Sequence, residues 1–162
     1  MSIIDVSVSF WQFNRERTLG KLAEIEKLPD PVKTLGWRPG PGRAPIAWQL
    51  MHIGVTEELF ATERLVGTTP EFADLVARFR GGSTPDDDTP SPDRIRHVLE
   101  TTRGHLLATV GKLREEDLGT IPPAFRERGW SIRQILQVIS WHEAHHQGQA
   151  HITLNLWKAA QG

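Results

Sequence analysis

Apolar side chains recur every three to four residues along four stretches of this chain, and nowhere in strict alternation. The clearest stretch runs from Ser131 to about Lys158. At about 100° per residue, Ile132, Ile135, Leu136, Val138, Ile139, Ala150, Leu154, Leu156 and Trp157 gather on one broad face. Ser131 with Gln134 three residues on makes a capping box, and Trp130 is placed to pack against Ile135 as a hydrophobic staple. A helix of roughly 27 residues, about 40 Å long at 1.5 Å per residue, suits a bundle better than a small mixed domain.

A second helix begins near Pro45, a residue suited to a first turn, and ends near Gly67. A third starts at Ser91-Pro92, a cap followed by proline at the first helical position, and runs to about Leu113. Ile95, Leu99, Leu106, Val110 and Leu113 line its buried side, which leaves His97 outward and His105 at the edge, both as surface residues. The first helix, from about Val6 to Leu28, has the weakest periodicity. Leu28 to Ala44 reads as a loop dense in Pro and Gly, and Gly81 to Pro90 as another. Pro70 to Phe79 reads as a short helix, and Arg114 to Gly129 as a loop returning to the fourth long helix. The expectation is an all-α single domain over residues 1–162, four helices packed antiparallel around one core.

Composition narrows the function classes. The 162 residues carry a net charge of −1 with both signs interspersed, so no basic patch argues for nucleic acid. No apolar run is long enough to span a bilayer, and the N-terminus lacks the basic-then-apolar pattern of a signal peptide. Cysteine is absent. That removes disulfides, thiolate metal sites and a cysteine nucleophile together, and fits a cytoplasmic protein. The expected partner is a small molecule, with neither nucleic acid nor membrane.

The chemistry concentrates on the fourth helix. His142 and His146 are four residues apart in the middle of its apolar stripe, so they stack on one face within reach of a single ion. Two imidazoles side by side in an apolar core need a shared partner. His145 sits towards the edge of the stripe, and His151 points away. Two protein ligands seldom hold a transition metal well, and the second helix offers the third. There Gln49, His52, Thr56 and Glu63 form a polar seam between apolar flanks, the mark of a lined site rather than a plain core. Three imidazoles from two helices leave a coordination position open, the pattern of a catalytic site. Such an ion lowers the pKa of bound water or a bound thiol. Zinc is the default for all-nitrogen ligation, with nickel, cobalt, manganese and iron as alternatives. Gln49, Thr56 and Gln149 point towards the seam as groups that touch the ligands or the substrate. Glu143 stands beside a ligand as a base or orienting group, or as an ordinary surface glutamate.

His142-Glu143-Ala144-His145-His146 also satisfies the HExxH signature of zinc proteases. The context argues against it. Gly148 and His151 each fall one residue short of the extended protease pattern, and no Glu or Asp follows His146.

With His52 in Trp-Gln-Leu-Met-His-Ile-Gly, and Trp141-His142-Glu143-Ala144-His145-His146-Gln147-Gly148-Gln149 on the last helix, the chain resembles the DinB-like superfamily. The resemblance covers nearly the whole sequence. It implies a four-helix bundle in up-down-down-up order, often dimeric, binding one divalent metal through His52, His142 and His146. One departure is visible: Gln147 stands where that family commonly has Arg before Gly-Gln. Characterised relatives include bacillithiol- or mycothiol-dependent S-transferases and a mycothiol-dependent isomerase. The resemblance thus implies zinc or nickel, a low-molecular-weight thiol and a homodimer. The alternatives are a hydrolase using bound water and a non-catalytic metal-binding bundle.

Overall fold

The computed structural model describes residues 2–162. Six α-helices follow one another: α1 (Ile3–Glu26), α2 (Pro31–Gly36), α3 (Ile46–Leu59), α4 (Ala73–Phe79), α5 (Pro92–Val110) and α6 (Ile132–Ala159). A π-helical turn, Phe60–Arg64, extends α3, and two short 3-10 turns, Glu115–Gly119 and Pro123–Phe125, lie between α5 and α6. No strand occurs among the described residues. Helix starts follow their sequence signals. Ser131 caps α6 with Gln134 completing the box, Ser91 caps α5 ahead of Pro92, and Ser2 with Asp5 caps α1.

The long helices form a closed ring in which α3 packs on α5 and α6, and α1 packs on the same two. Side-chain pairs fix the directions. Trp11 meets Ser140 and Glu24 meets Lys158, so α1 and α6 run the same way. Gln49 meets Gln149 and His52 meets His142, so α3 runs against α6. Gly54 sets the α3–α5 spacing: a Cβ there would stand 2.9 Å from Val98 Cγ1.

Two apolar clusters fill the ring. One holds Leu22, Ile53, Leu99 and Leu154, the other Trp11, Phe60, Leu106 and Ile139. Between them along α1, α5 and α6 lie Arg15, Arg103 and Glu143, and with Glu57 of α3 they make a buried four-charge layer. Arg15 donates to Glu143 and Glu57 at 2.7 Å each, and Arg103 donates to both carboxylates as well. Arg15 Nη1 also donates to the Leu99 carbonyl, and Arg103 Nη1 to the Trp11 carbonyl. Two positive and two negative charges, all hydrogen-bonded, satisfy the condition under which ions are buried at all.

The structure corrects several expectations. Polar Asn14, Arg15 and Thr18 occupy the inward face of α1, which is why its apolar periodicity is weak. Asp30-Pro31 caps and opens α2 inside the stretch read as loop. The second long helix changes to a π turn at Phe60 instead of continuing unbroken towards Gly67. Leu156 is exposed, not in the stripe, because it lies about 200° around α6 from the fully buried Leu154 and so points outward. His105 is not a free surface residue. Its Nδ1 lies 2.6 Å from the fully buried carboxylate of Glu58, which needs a partner, while Nε2 reaches Glu71. His97 is exposed as expected.

Candidate metal centre

Because α3 and α6 run in opposite directions, the i, i+4 pair of α6 faces the middle of α3. Nitrogens of His52, His142 and His146 lie within 4.8 Å of one another. His142 Nε2 stands 3.0 Å from His52 Nε2. What surrounds the rings decides which nitrogens are free. His52 Nδ1–H donates to the Phe79 carbonyl at 2.6 Å, which leaves its Nε2 lone pair facing the cluster. His146 Nδ1–H donates to Gln49 Oε1 at 2.6 Å, leaving its Nε2 free in the same way. Gln49 is itself held by its Nε2 donating to Gln149 Oε1 at 3.0 Å. Trp48 stacks on His52 with ring centroids 4.6 Å apart and planes at 13°.

These residues fit a divalent transition ion. Outer nitrogens committed to oxygen acceptors and inner lone pairs turned together are how ligating histidines are oriented. Burial supplies the protonation state. Desolvation, then the neighbouring His52 and His145, push His142 down to about 3; desolvation, then His142 and His52, take His146 to about 3. His52 is lowered in the same direction, chiefly by burial. The neutral imidazole, the form that binds metal, is therefore the resting form.

A cleft of about 420 Å³ opens beside the cluster. His52, His142, Thr56 and Glu63 line it, together with Phe60, Phe125 and Trp130 and three arginines, Arg64, Arg80 and Arg128. The α3 seam thus divides. Gln49 braces His146, while Thr56 and Glu63 face the open space.

The other site residues fall into place by geometry. Gln149 bonds Gln49 and, through its own amide, His145 Nε2 at 2.6 Å. His145 is exposed and stacks on Trp141. His151 is exposed, beside Asn155. Glu143 is neither a surface glutamate nor a base at this site: it is 2% exposed, and both its oxygens accept from Arg15 and Arg103 in the core layer. Adjacent positions on a helix point about 100° apart, so His142 and Glu143 serve different sides of α6. Sequence reasoning missed the Phe79 carbonyl, which carries no side-chain signal, and the three cleft arginines, which come from three separate segments.

A family model described as the DinB superfamily matches residues 11–150, a span that includes all three histidines. Comparison with curated proteins and with solved structures returns no match.

Proposed function

This chain belongs to the DinB superfamily, and from that premise we propose that it is a metal-dependent enzyme of the thiol S-transferase type. In this reading His52, His142 and His146 hold one divalent ion, zinc or nickel. The cleft beside them admits a low-molecular-weight thiol and a small electrophile. The observation that carries the reading is the pairing of three inward, neutral imidazoles with an open cleft of about 420 Å³ that two of them, His52 and His142, line. A divalent ion there supplies the Lewis acidity that makes a thiol nucleophilic at neutral pH.

The chain's own residues do the rest. The Phe79 carbonyl and Gln49 hold two of the rings in one tautomer and orientation. Trp48 stacks on one face of His52 and shields that face from water. The thiol sulfur bonds the electrophilic carbon, the leaving group departs with its electron pair, and the thiol proton passes to solvent in the open cleft. The absence of cysteine is consistent with a nucleophile brought in from solution. Water entering the same cleft gives a second reading, hydrolysis, in which the ion would activate water in place of the thiol.

One assay separates them. With metal and an electrophile panel, turnover is expected only when a thiol is added, and chelation abolishes it. Turnover without thiol rejects the transferase reading in favour of hydrolysis, and no turnover under either condition rejects the enzyme.

The long helices are read as one up-down-down-up bundle, supported by the α1–α6 and α3–α6 contacts and by the bonds Arg15–Leu99 and Arg103–Trp11, which run α5 against α1. A cytoplasmic homodimer completes the proposal. Its support is an exposed apolar stripe on the outer face of α1, Val6, Phe10 and Phe13, with Phe13 51% exposed. Sedimentation at micromolar concentration is expected to give twice the 18.3 kDa chain mass, and Phe13→Asp to shift it towards monomer. A monomer mass for the unaltered chain rejects the dimer.

A further inference from the structure

The cleft beside the histidines is strongly cationic in a chain whose net charge is −1. Three guanidiniums line it against one carboxylate, Glu63. They arrive from three segments: Arg64 on the π turn, Arg80 just after α4, and Arg128 on the approach to α6. None of the three makes an ion pair or a side-chain hydrogen bond among the described residues. Arg78, two residues before Arg80, is by contrast clasped by Asp86 and Asp88. Arg64 lies over the Phe60 ring at 4.8 Å and Arg128 over the Trp130 ring at 5.2 Å. A guanidinium laid on an aromatic face keeps its planar edge free to donate. Arg64 has its proton affinity lowered, chiefly by burial; Glu63 opposes that shift, and the charges of Arg128 and Arg80 add to it.

Three like charges against a single carboxylate leave an excess of positive charge that costs free energy, and an anion between them relieves it. The aromatic side of the cleft continues outward. Phe60, Phe125 and Trp130 stack in sequence at 6.0 and 5.7 Å between centroids. Trp130 and Val138 then begin a shallow groove completed by Gln134, Gln137 and Trp141.

We propose that the molecule entering this cleft is an anion, a carboxylate or phosphate bearing an aromatic or aliphatic part, with Arg64, Arg80 and Arg128 binding the charged end and the Phe125–Trp130–Trp141 surface the apolar end. This rests on the cleft being the substrate site of the proposed function, but the arginines act whether or not an ion is held.

The test is calorimetric titration of the metal-loaded protein with naphthalene-2-carboxylate, 2-naphthyl phosphate and the neutral naphthalene-2-carboxamide. Both anions are expected to bind at least about ten-fold more tightly than the amide, the worth of one charge-assisted hydrogen bond. The tighter of the two identifies the anionic group. Arg128→Gln, at an exposed position, and Arg64→Gln should each weaken anion binding about ten-fold and leave the amide unchanged. Arg133→Gln, exposed and outside the cleft, should change neither.

Amide binding equal to the carboxylate, or anion binding unaltered in both cleft variants, overturns the proposal. Repeating the titrations after chelation, with metal content measured on the same samples, separates the two readings. A protein that never held metal yet prefers anions through Arg64 and Arg128 defeats the enzyme and leaves this inference standing. Anion preference that vanishes on chelation, and ignores both arginines, defeats this inference and leaves the metal site.

Discussion

His142→Ala is expected to strip the protein of its metal, and His52→Ala and His146→Ala to do the same, whereas His151→Ala keeps it. The argument is one of coordination number. Three imidazoles converge within 4.8 Å, and two cannot replace three for a first-row divalent ion. His145→Ala should also retain metal, because His145 is exposed and bonded to Gln149. An intermediate result is expected for Gln49→Ala, which frees the His146 ring to turn and should cost about 10–100-fold in metal affinity. Elemental analysis of tag-free protein, expressed per chain, gives all these values in one series. Equal metal in the His142 and His151 variants rejects the ligand set.

The pH dependence follows with its sign. Burial leads the causes that hold His142 and His146 near 3, below the ordinary 6.5. Protons therefore compete weakly, and metal should remain bound at pH 5.5, about a unit below the ordinary histidine value. In metal-free protein the same shift acts on folding. The unfolded chain takes up protons below about 6.5 while the folded site refuses them until near 3. The stability present at neutral pH is thus lost progressively as pH falls through that window.

The site was more legible than the frame that holds it. His142 and His146 announce themselves because two polar rings at i, i+4 interrupt an otherwise apolar stripe, and His52 because it shares a polar seam with Gln49 and Thr56. Periodicity carries that much. It fails where burial is polar. On α1 the inward face is Trp11, Asn14, Arg15, Thr18, Leu22 and Ile25, so a scan for apolar side chains sees half of it. Arg103 and Glu57 are hidden for the same reason, since a charge in sequence is read as solvent-facing unless its counter-charges are known, and for each of them these lie on two other helices.

Glu143 shows how far local sequence reaches. In HExxH order it occupies the place of a protease base, and spacing alone cannot separate that role from another. Arg15, 128 residues away in the chain, does. The cleft arginines teach the converse. Each looks like an ordinary surface cation, and only the convergence of the π turn, the end of α4 and the loop before α6 makes them a group.

Glu143→Ala is accordingly expected to be the most damaging single substitution outside the metal centre. It removes one carboxylate from a closed set of two cations and two anions and leaves Arg15 and Arg103 buried against Glu57 alone. Breaking a buried ion pair in this way costs about 3–5 kcal/mol. In a chain of this size that should lower Tm by roughly 10 °C. Glu143→Gln keeps an acceptor and the shape while losing the charge, so it should fall between wild type and alanine.

The decisive comparison is with Arg15→Met combined with Glu143→Leu, which removes one charge of each sign and restores neutrality to Arg103 and Glu57. That double variant should be more stable than the sum of its single changes by at least about 1 kcal/mol, the coupling expected of contacting charges. Urea midpoints for the four proteins of the cycle give the number. A strictly additive cycle, or an alanine variant as stable as the parent, would show that the layer contributes nothing cooperative. The metal content of the double variant then says what the layer is for. The charges bond α1, α3, α5 and α6 to one another at a single level, and Glu143 follows His142 directly. If the layer sets the register of α6 against α3, a neutral replacement that folds well should still bind metal less tightly than the parent. If metal affinity is unchanged, the layer stabilises the bundle alone, and the His52–His142 approach is set by the α3–α6 apolar packing.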